Sequence, residues 1–230
     1  MRLLLLAYSV LSNPLKRKAY DREFVSFKKI SRFNYREFLK NTPKDLYSQA
    51  KLIFYDILNG HNEDAVRLYE KLSFEDFDLK DYLPDGDYRD CIFLLAEEFQ
   101  NRGQYEKAFF LFKTLVIEEE KKPYFHFFIE EVIDRLRFIV AAKLQKQKPK
   151  NWCILQVENL LSLNIADKDK AFFCKKIAEI YVNLGQRQNA IDYFERAFKF
   201  DKRMPGTKKL LEKIGLGANS ELKTTVLDVQ

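Results

Sequence analysis

Apolar residues recur every three or four positions through much of this chain, which is the period of an amphipathic α-helix. The longest example is the segment 124–146, where apolar side chains share one predicted helix face. They are Phe125, Phe128, Ile129, Val132, Ile133, Leu136, Ile139, Val140 and Leu144. A helix with such a stripe has to bury it against a neighbour. Since the chain also has only 7 Gly and 6 Pro in 230 residues, the pattern predicts a protein of packed helices.

A four-residue motif occurs three times in one register. A glycine is followed five positions later by alanine, four positions further by an aromatic residue, and three further by leucine or alanine. The copies are Gly60-Ala65-Tyr69-Leu72, Gly103-Ala108-Phe112-Leu115 and Gly185-Ala190-Phe194-Ala197. Glycine commonly ends a helix. The motif therefore predicts repeated hairpins, each with its bend at the glycine.

The spacing of these glycines predicts about four hairpins. Gly60 and Gly103 are 43 residues apart, while Gly103 and Gly185 are 82 apart, close to two such steps. We predict helices at about 45–58, 62–72, 88–101, 105–119, 124–146, 152–163, 168–183 and 187–200. The fifth and sixth form a degenerate third hairpin without the glycine motif. A short helix near Thr207–Ile214 is predicted to cap the array, and residues from Leu216 onward to form a loose tail.

The hairpins resemble the tetratricopeptide repeat, a helix-turn-helix unit of 34 residues. In the last hairpin the family's pattern positions are occupied by Ala178, Tyr181, Gly185, Ala190, Phe194 and Ala197. In the second hairpin they are occupied by Ala96, Phe99, Gly103, Tyr105, Ala108 and Phe112. The period here is longer than 34, and the proline expected near Lys202 is missing. The resemblance implies an all-α solenoid of stacked helical hairpins that binds a peptide or protein segment.

Inward-facing positions of the first helices form the predicted groove for that segment. They are Asp90, Phe93, Glu97 and Gln100 in the second hairpin, and Phe172, Lys175, Glu179 and Val182 in the last. One subset of the family grips an acidic C-terminal peptide with a Lys/Asn/Arg clamp. Because Glu97 and Glu179 stand where the asparagine is expected, we predict that this clamp is absent.

The N-terminal segment resembles a different family. Asn13-Pro14 predicts a helix start, with Asn13 as N-cap. Residues 7–21, AYSVLSNPLKRKAYD, resemble the end of a J-domain, namely its third helix, turn and basic fourth helix. The resemblance implies that Lys16, Arg17 and Lys18 contact a DnaK-type heat-shock chaperone. However, the His-Pro-Asp loop that the family uses to stimulate that chaperone does not occur in this sequence.

Four segments follow from these two resemblances. Residues 1–24 are a J-domain remnant, 25–44 a basic helical bridge, 45–203 the repeats, and 204–230 the capping helix and tail. Two explanations for the incomplete J-domain stay open, namely a natural start upstream of Met1 or a remnant kept for packing. A third interpretation, also open, takes residues 1–11 as a short signal peptide.

Charge is concentrated near the N-terminus. Residues 1–45 contain eleven Lys or Arg and four Asp or Glu, a net charge of +7, whereas the remaining residues carry −1. Such a patch attracts anionic partners. The alternative to a protein-binding adaptor is therefore binding of nucleic acid or an anionic surface through the basic segment 14–44.

The sequence offers little material for catalysis. Its only histidines are His61 and His126, and the cysteines Cys91, Cys153 and Cys174 form no C-x-x-C pair. We interpret the cysteines as small core residues in a reduced, cytoplasmic compartment. No catalytic or phosphate-binding motif and no apolar run long enough to span a bilayer occurs. We therefore expect a non-enzymatic, co-chaperone-like adaptor without cofactor or metal.

Overall fold

The computed structural model describes residues 8, 10–30, 34–74, 77–124 and 127–215. These residues form twelve α-helices, a 3₁₀-helix at Leu79–Asp81 and connecting segments, with no strand among them. The helices are α1 (Pro14–Ile30), α2 (Tyr35–Lys40), α3 (Leu46–Leu58), α4 (Asn62–Ser73), α5 (Asp85–Asn101), α6 (Tyr105–Lys121), α7 (Phe128–Ala142), α8 (Leu144–Gln147), α9 (Lys150–Leu161), α10 (Asp167–Asn183), α11 (Arg187–Phe200) and α12 (Thr207–Ile214). The prediction of an all-α protein built from helical hairpins is confirmed.

The chain divides into two compact units, Met1–Leu83 and Pro84–Gln230. The first contains α1 to α4, and the second contains α5 to α12. The predicted signal peptide at 1–11 and the first part of the J-domain-like segment lie largely outside the described residues, and the predicted tail from Leu216 lies wholly outside them.

The three motif glycines form the bends of three helical hairpins. Gly60, Gly103 and Gly185 have φ angles of 77°, 73° and 71°, in the left-handed region that a Cβ atom disfavours. The amide after each glycine bonds back to the carbonyl five residues earlier, as in His61 to Asp56 (2.8 Å) and Gln186 to Tyr181 (3.0 Å). This hydrogen bond is that of the Schellman motif, which satisfies a carbonyl left open at a helix end.

The remaining motif positions pack the hairpins as predicted. Ala65, Ala108 and Ala190 are fully buried, so a small side chain lets the second helix approach the first. Phe112 and Phe194 are also buried, while Tyr69 is half-buried. The hairpins are therefore α3/α4, α5/α6 and α10/α11, whose helices pack against each other.

Several predicted boundaries were wrong. Helix α5, predicted from about residue 88, begins at Asp85, because Pro84 can precede a helix without giving up a needed amide. Helix α1 continues to Ile30 rather than ending near Phe24. Asp45 caps α3 by accepting from the Ser48 amide, while Thr42 donates its hydroxyl to the Leu39 carbonyl.

In the first unit, α2 packs on the α3/α4 hairpin through an arginine. Arg36 Nε lies 2.6 Å from Asp56 Oδ1, and Arg36 Nη2 lies 2.6 Å from Asp64 Oδ2. The side chain of Asp56 is buried, so its charge requires this partner. Leu39 of α2 is buried as well, and the Gln49 amide donates to the Leu39 and Thr42 carbonyls. Part of the predicted basic bridge is thus a helix packed on the first hairpin.

In the second unit, the predicted single helix over 124–146 is divided into α7 and the short α8. Both α7 and α9 pack against α10. The short helix α12 was predicted with its observed bounds, and it packs against α10 and α11. Its Leu210 and Ile214 join the core of the last hairpin, and Arg187 Nε donates to the Ile214 carbonyl (2.7 Å).

Candidate functional site

The centre of the candidate site is α7, which lies between α5 and α10. Contacts to α5 come from an aromatic pair, Phe93 and Phe128, whose ring centroids are 5.6 Å apart. Helix α10 packs on α7 directly. Helix α7 therefore lies beside the first helices of two hairpins, α5 and α10.

An arginine fixes α7 to α5. Arg135 Nη2 lies 2.6 Å from Glu97 Oε1, and Arg135 Nε lies 2.8 Å from Glu131 Oε1 on the preceding turn of α7. The two carboxylates hold the guanidinium in one orientation, because each engages a different nitrogen. The pair therefore orients α7 as well as joining it to α5.

A second arginine fixes α7 to α10. Arg137 Nη2 lies 2.5 Å from Asp169 Oδ1, and its guanidinium lies 5.1 Å from the centre of the Phe172 ring. Asp169 Oδ1 accepts no hydrogen bond from the described residues, so its contact with Arg137 is an ion pair without a hydrogen bond. Burial raises the pKa of Asp169 above its ordinary value, although the charge of Arg137 acts in the opposite direction.

Between these arginines α7 exposes a face that is both aromatic and acidic. The side chains of Phe127, at the start of the helix, and Phe138 are 68% and 46% exposed. Glu130, Glu131 and Asp134 are exposed between them. We call this surface the α7 face and define it as Phe127, Glu130, Glu131, Asp134 and Phe138.

The four predicted groove residues of α5 are half-buried. Asp90 accepts a 3.4 Å hydrogen bond from the Tyr124 hydroxyl, and burial raises the pKa of Asp90. Phe93 and Glu97 contact α7 as described. Gln100 has a buried Oε1 atom without a hydrogen-bond partner among the described residues. Phe93 and Glu97 thus lie at the junction of α5 and α7, and Asp90 contacts Tyr124, which precedes α7.

The four predicted groove residues of α10 are also half-buried, and they divide between two surroundings. Phe172 contacts Arg137 of α7, and Lys176 lies 5.7 Å from the Phe172 ring and 2.8 Å from Glu179 Oε2. Lys175 donates to the Pro205 carbonyl, and Val182 packs on the core that includes α12. The binding role of all eight groove residues stays a prediction.

Sequence reasoning missed the exposed residues of α7. Periodicity identifies the buried stripe of a helix, and the apolar residues of 124–146 were assigned to that stripe. Phe127 and Phe138 lie off it, among Glu130, Glu131 and Asp134. Two aromatic residues on an otherwise charged helix face are the signal that would have located this surface.

The predicted chaperone-contact residues lie on α1. Asn13 Oδ1 accepts from the Leu15 and Lys16 amides at 3.0 and 3.1 Å, which confirms the predicted N-cap. Lys16, Arg17 and Lys18 are exposed, as is every residue from 11 to 24. This part of α1 therefore presents its basic and aromatic side chains to solvent.

The three cysteines are buried, as predicted. Burial raises the pKa of the Cys174 thiol to about 11 and also raises those of Cys91 and Cys153. A thiol is nucleophilic only when deprotonated, so these groups are unreactive near neutral pH. Among the described residues, no three or more His, Cys, Asp or Glu are grouped to hold a metal ion. Nor does that part of the chain contain a helix with the length and apolar character to cross a membrane.

Comparison with known proteins adds one family match. Residues 176–203 match the model of the tetratricopeptide repeat. They comprise the second half of α10, the bend at Gly185, α11 and the three residues after it. The resemblance predicted for the last hairpin is therefore confirmed. No curated protein matches the sequence.

Among solved structures, similar chains include a Podosopora anserina protein described as a kinesin light chain with nearly identical TPR-like repeats. It is 18% identical, with 75% of this chain and 94% of that chain covered and a TM-score of 0.31. A single-residue variant of that protein is 16% identical, with 81% of this chain and 98% of that chain covered and a TM-score of 0.32.

Proposed function

We propose that this protein is a non-enzymatic adaptor that binds a segment of another protein on the α7 face and its borders on α5 and α10. The family match at residues 176–203 supports a role in protein–protein interaction, because such repeats stack helices into extended binding surfaces. The observation that carries the proposal is the pair of exposed aromatic side chains, Phe127 and Phe138, on a helix fixed on both sides.

Rigid support matters for binding affinity. Aromatic side chains supply much of the binding energy at protein interfaces, and a preorganised surface loses little conformational entropy on binding. Arg135 and Arg137 tie α7 to α5 and α10, so the aromatic side chains are presented on a fixed helix. The half-buried groove residues Phe93, Glu97 and Phe172 would line the edges of the bound segment.

Selection from a random peptide library displayed on phage tests the proposal. Peptides enriched on the full chain are expected to lose about tenfold or more in affinity for Phe138→Ala. Phe200→Ala is the matched control, since Phe200 is 38% exposed and has Lys170 5.8 Å from its ring centre, as Phe138 has Lys143 at 5.4 Å. Peptides that bind Phe138→Ala as tightly as the unmodified chain would contradict the proposal.

The co-chaperone part of the function depends on α1. The likeness of residues 7–21 to a J-domain and the exposure of Lys16, Arg17 and Lys18 support contact with a DnaK-type chaperone. Titration with a DnaK-type chaperone should show binding that the Lys16/Arg17/Lys18→Ala variant loses, and equal binding of both would exclude this contact.

The second candidate function is binding of nucleic acid or an anionic surface through segment 14–44. The specific observation in its favour is that the basic residues from Lys16 to Arg22 are all exposed on α1. Arg36, however, forms ion pairs with Asp56 and Asp64 within the first unit. Phosphate binding would weaken steeply with salt and with Lys16/Arg17/Lys18→Ala. DNA binding that is weak and insensitive to these substitutions would exclude the second function.

A further inference from the structure

The composition of the α7 face indicates the chemistry of the segment that it binds. We infer that this segment carries two apolar side chains about 16 Å apart, with lysine or arginine between them. The inference rests on the proposed function, and it adds a partner class to it. It follows from the order of aromatic and acidic side chains along a single helix.

The two aromatic side chains set the spacing of the apolar anchors. Phe127 and Phe138 are eleven positions apart, or about three helical turns, which corresponds to about 16 Å along the axis. Both rings are exposed. Each ring can therefore contact one apolar side chain of the partner. One apolar side chain cannot reach both rings, because they are about 16 Å apart.

The acidic side chains between them set the charge of the partner. Glu130, Glu131 and Asp134 are exposed, and Glu130 has no ion-pair partner among the described residues. Glu131 and Asp134 do have arginine partners, but those arginines are shared. Arg135 also pairs with Glu97, and Arg137 also pairs with Asp169. The exposed face of α7 consequently keeps a net negative charge.

An acidic partner is disfavoured on this face. Its carboxylates would lie beside Glu130, Glu131 and Asp134 and would compete with Glu97 and Asp169 for the two arginines. Like charges brought together at an interface cost affinity. A basic segment gains the carboxylate of Glu130, unpaired among the described residues, between the two aromatic side chains, while Lys143, 5.4 Å from the centre of the Phe138 ring, leaves one like charge at that end of the face.

The displayed-library selection also tests this inference when the enriched peptides are sequenced and synthesised. We expect apolar residues at two separated positions with Lys or Arg between them. We also expect the dissociation constant to rise with ionic strength, since the charged contacts are exposed. The double variant Glu130→Lys/Asp134→Lys should weaken binding of these peptides by about tenfold or more, because repulsion replaces two attractive contacts. Glu212→Lys is the matched control, an exposed acid on α12.

The outcomes separate this inference from the proposed function. Enriched peptides that require Phe138 but are acidic or uncharged would overturn the inference and leave the adaptor function standing. Enriched peptides that do not require Phe138 would overturn both. Sedimentation of the chain without peptide tests whether a second copy of this chain binds to the α7 face. Self-association that Phe138→Ala abolishes would assign the face to a second copy and overturn the inference.

Discussion

Arg89 Nη2 donates a 2.7 Å hydrogen bond to the backbone carbonyl oxygen of Lys122. The same nitrogen donates to the Glu118 carbonyl at 3.1 Å, and Nη1 lies 3.1 Å from Glu119 Oε2. The Arg89 side chain is only 1% exposed. One buried guanidinium thus satisfies carbonyls at the end of α6, immediately before the chain turns toward α7.

Arg89→Ala is predicted to lower the free energy of unfolding by about 3 kcal/mol, because it removes the buried hydrogen bonds to the Glu118 and Lys122 carbonyls and the ion pair with Glu119. Urea denaturation of the full chain measures the change. Arg67→Ala is the control, since Arg67 pairs with Glu63 on the surface, and such pairs contribute about 0.5 kcal/mol. Equal decreases in the free energy of unfolding for the two variants would show that the burial of Arg89 does not add to its effect on stability.

Gly185→Ala is predicted to destabilise the last hairpin by about 1 kcal/mol. No atom lies within 4 Å of the position of an added Cβ, so the cost comes from the left-handed backbone and not from a clash. Gly60→Ala should cost a similar amount, because its φ and its open surroundings are similar. Asparagine at either position should cost less, since it tolerates this conformation better. Thermal denaturation that ranks alanine above asparagine in stability would contradict the explanation.

The motif glycines and the Arg89 contacts differ in whether the sequence predicts them. The glycine motif predicted three bends because each bend needs a residue with positive φ, and glycine adopts that conformation most readily. Helix α12 was predicted because Gly206 and Gly215, both with positive φ, mark its ends. The Arg89 contacts join residues about thirty positions apart, and no periodicity encodes them. The α7 face was missed for a related reason, since a helical period distinguishes buried from exposed positions but not an exposed binding surface from ordinary surface.

Tyr193 should titrate well above an ordinary tyrosine. Burial, together with its hydrogen bond to the Glu158 carboxylate, raises the Tyr193 pKa from 10.0 to about 12. The unfolded chain therefore loses this proton first, and the contribution of Tyr193 to stability is lost as pH rises from about 10 to about 12. Tyr193→Phe should remove this part of the alkaline destabilisation. Tyrosinate absorbance that shows all tyrosines titrating together near pH 10 would contradict the prediction.

Asp169 should hold its proton to a higher pH than an ordinary aspartate. Burial raises its pKa, and Arg137 opposes that shift. Since the folded pKa lies above the unfolded one, the unfolded state binds fewer protons between the two values, and stability falls as pH rises through that window. Arg137→Gln removes the opposing charge, so the Asp169 pKa should rise further, as measured by carbon-13 NMR of the carboxyl group. Arg67→Gln is the control and should leave it unchanged. An Asp169 pKa that falls or stays constant in Arg137→Gln would show that the ion pair between α7 and α10 does not govern this group, and the orientation of the α7 face would then need another explanation.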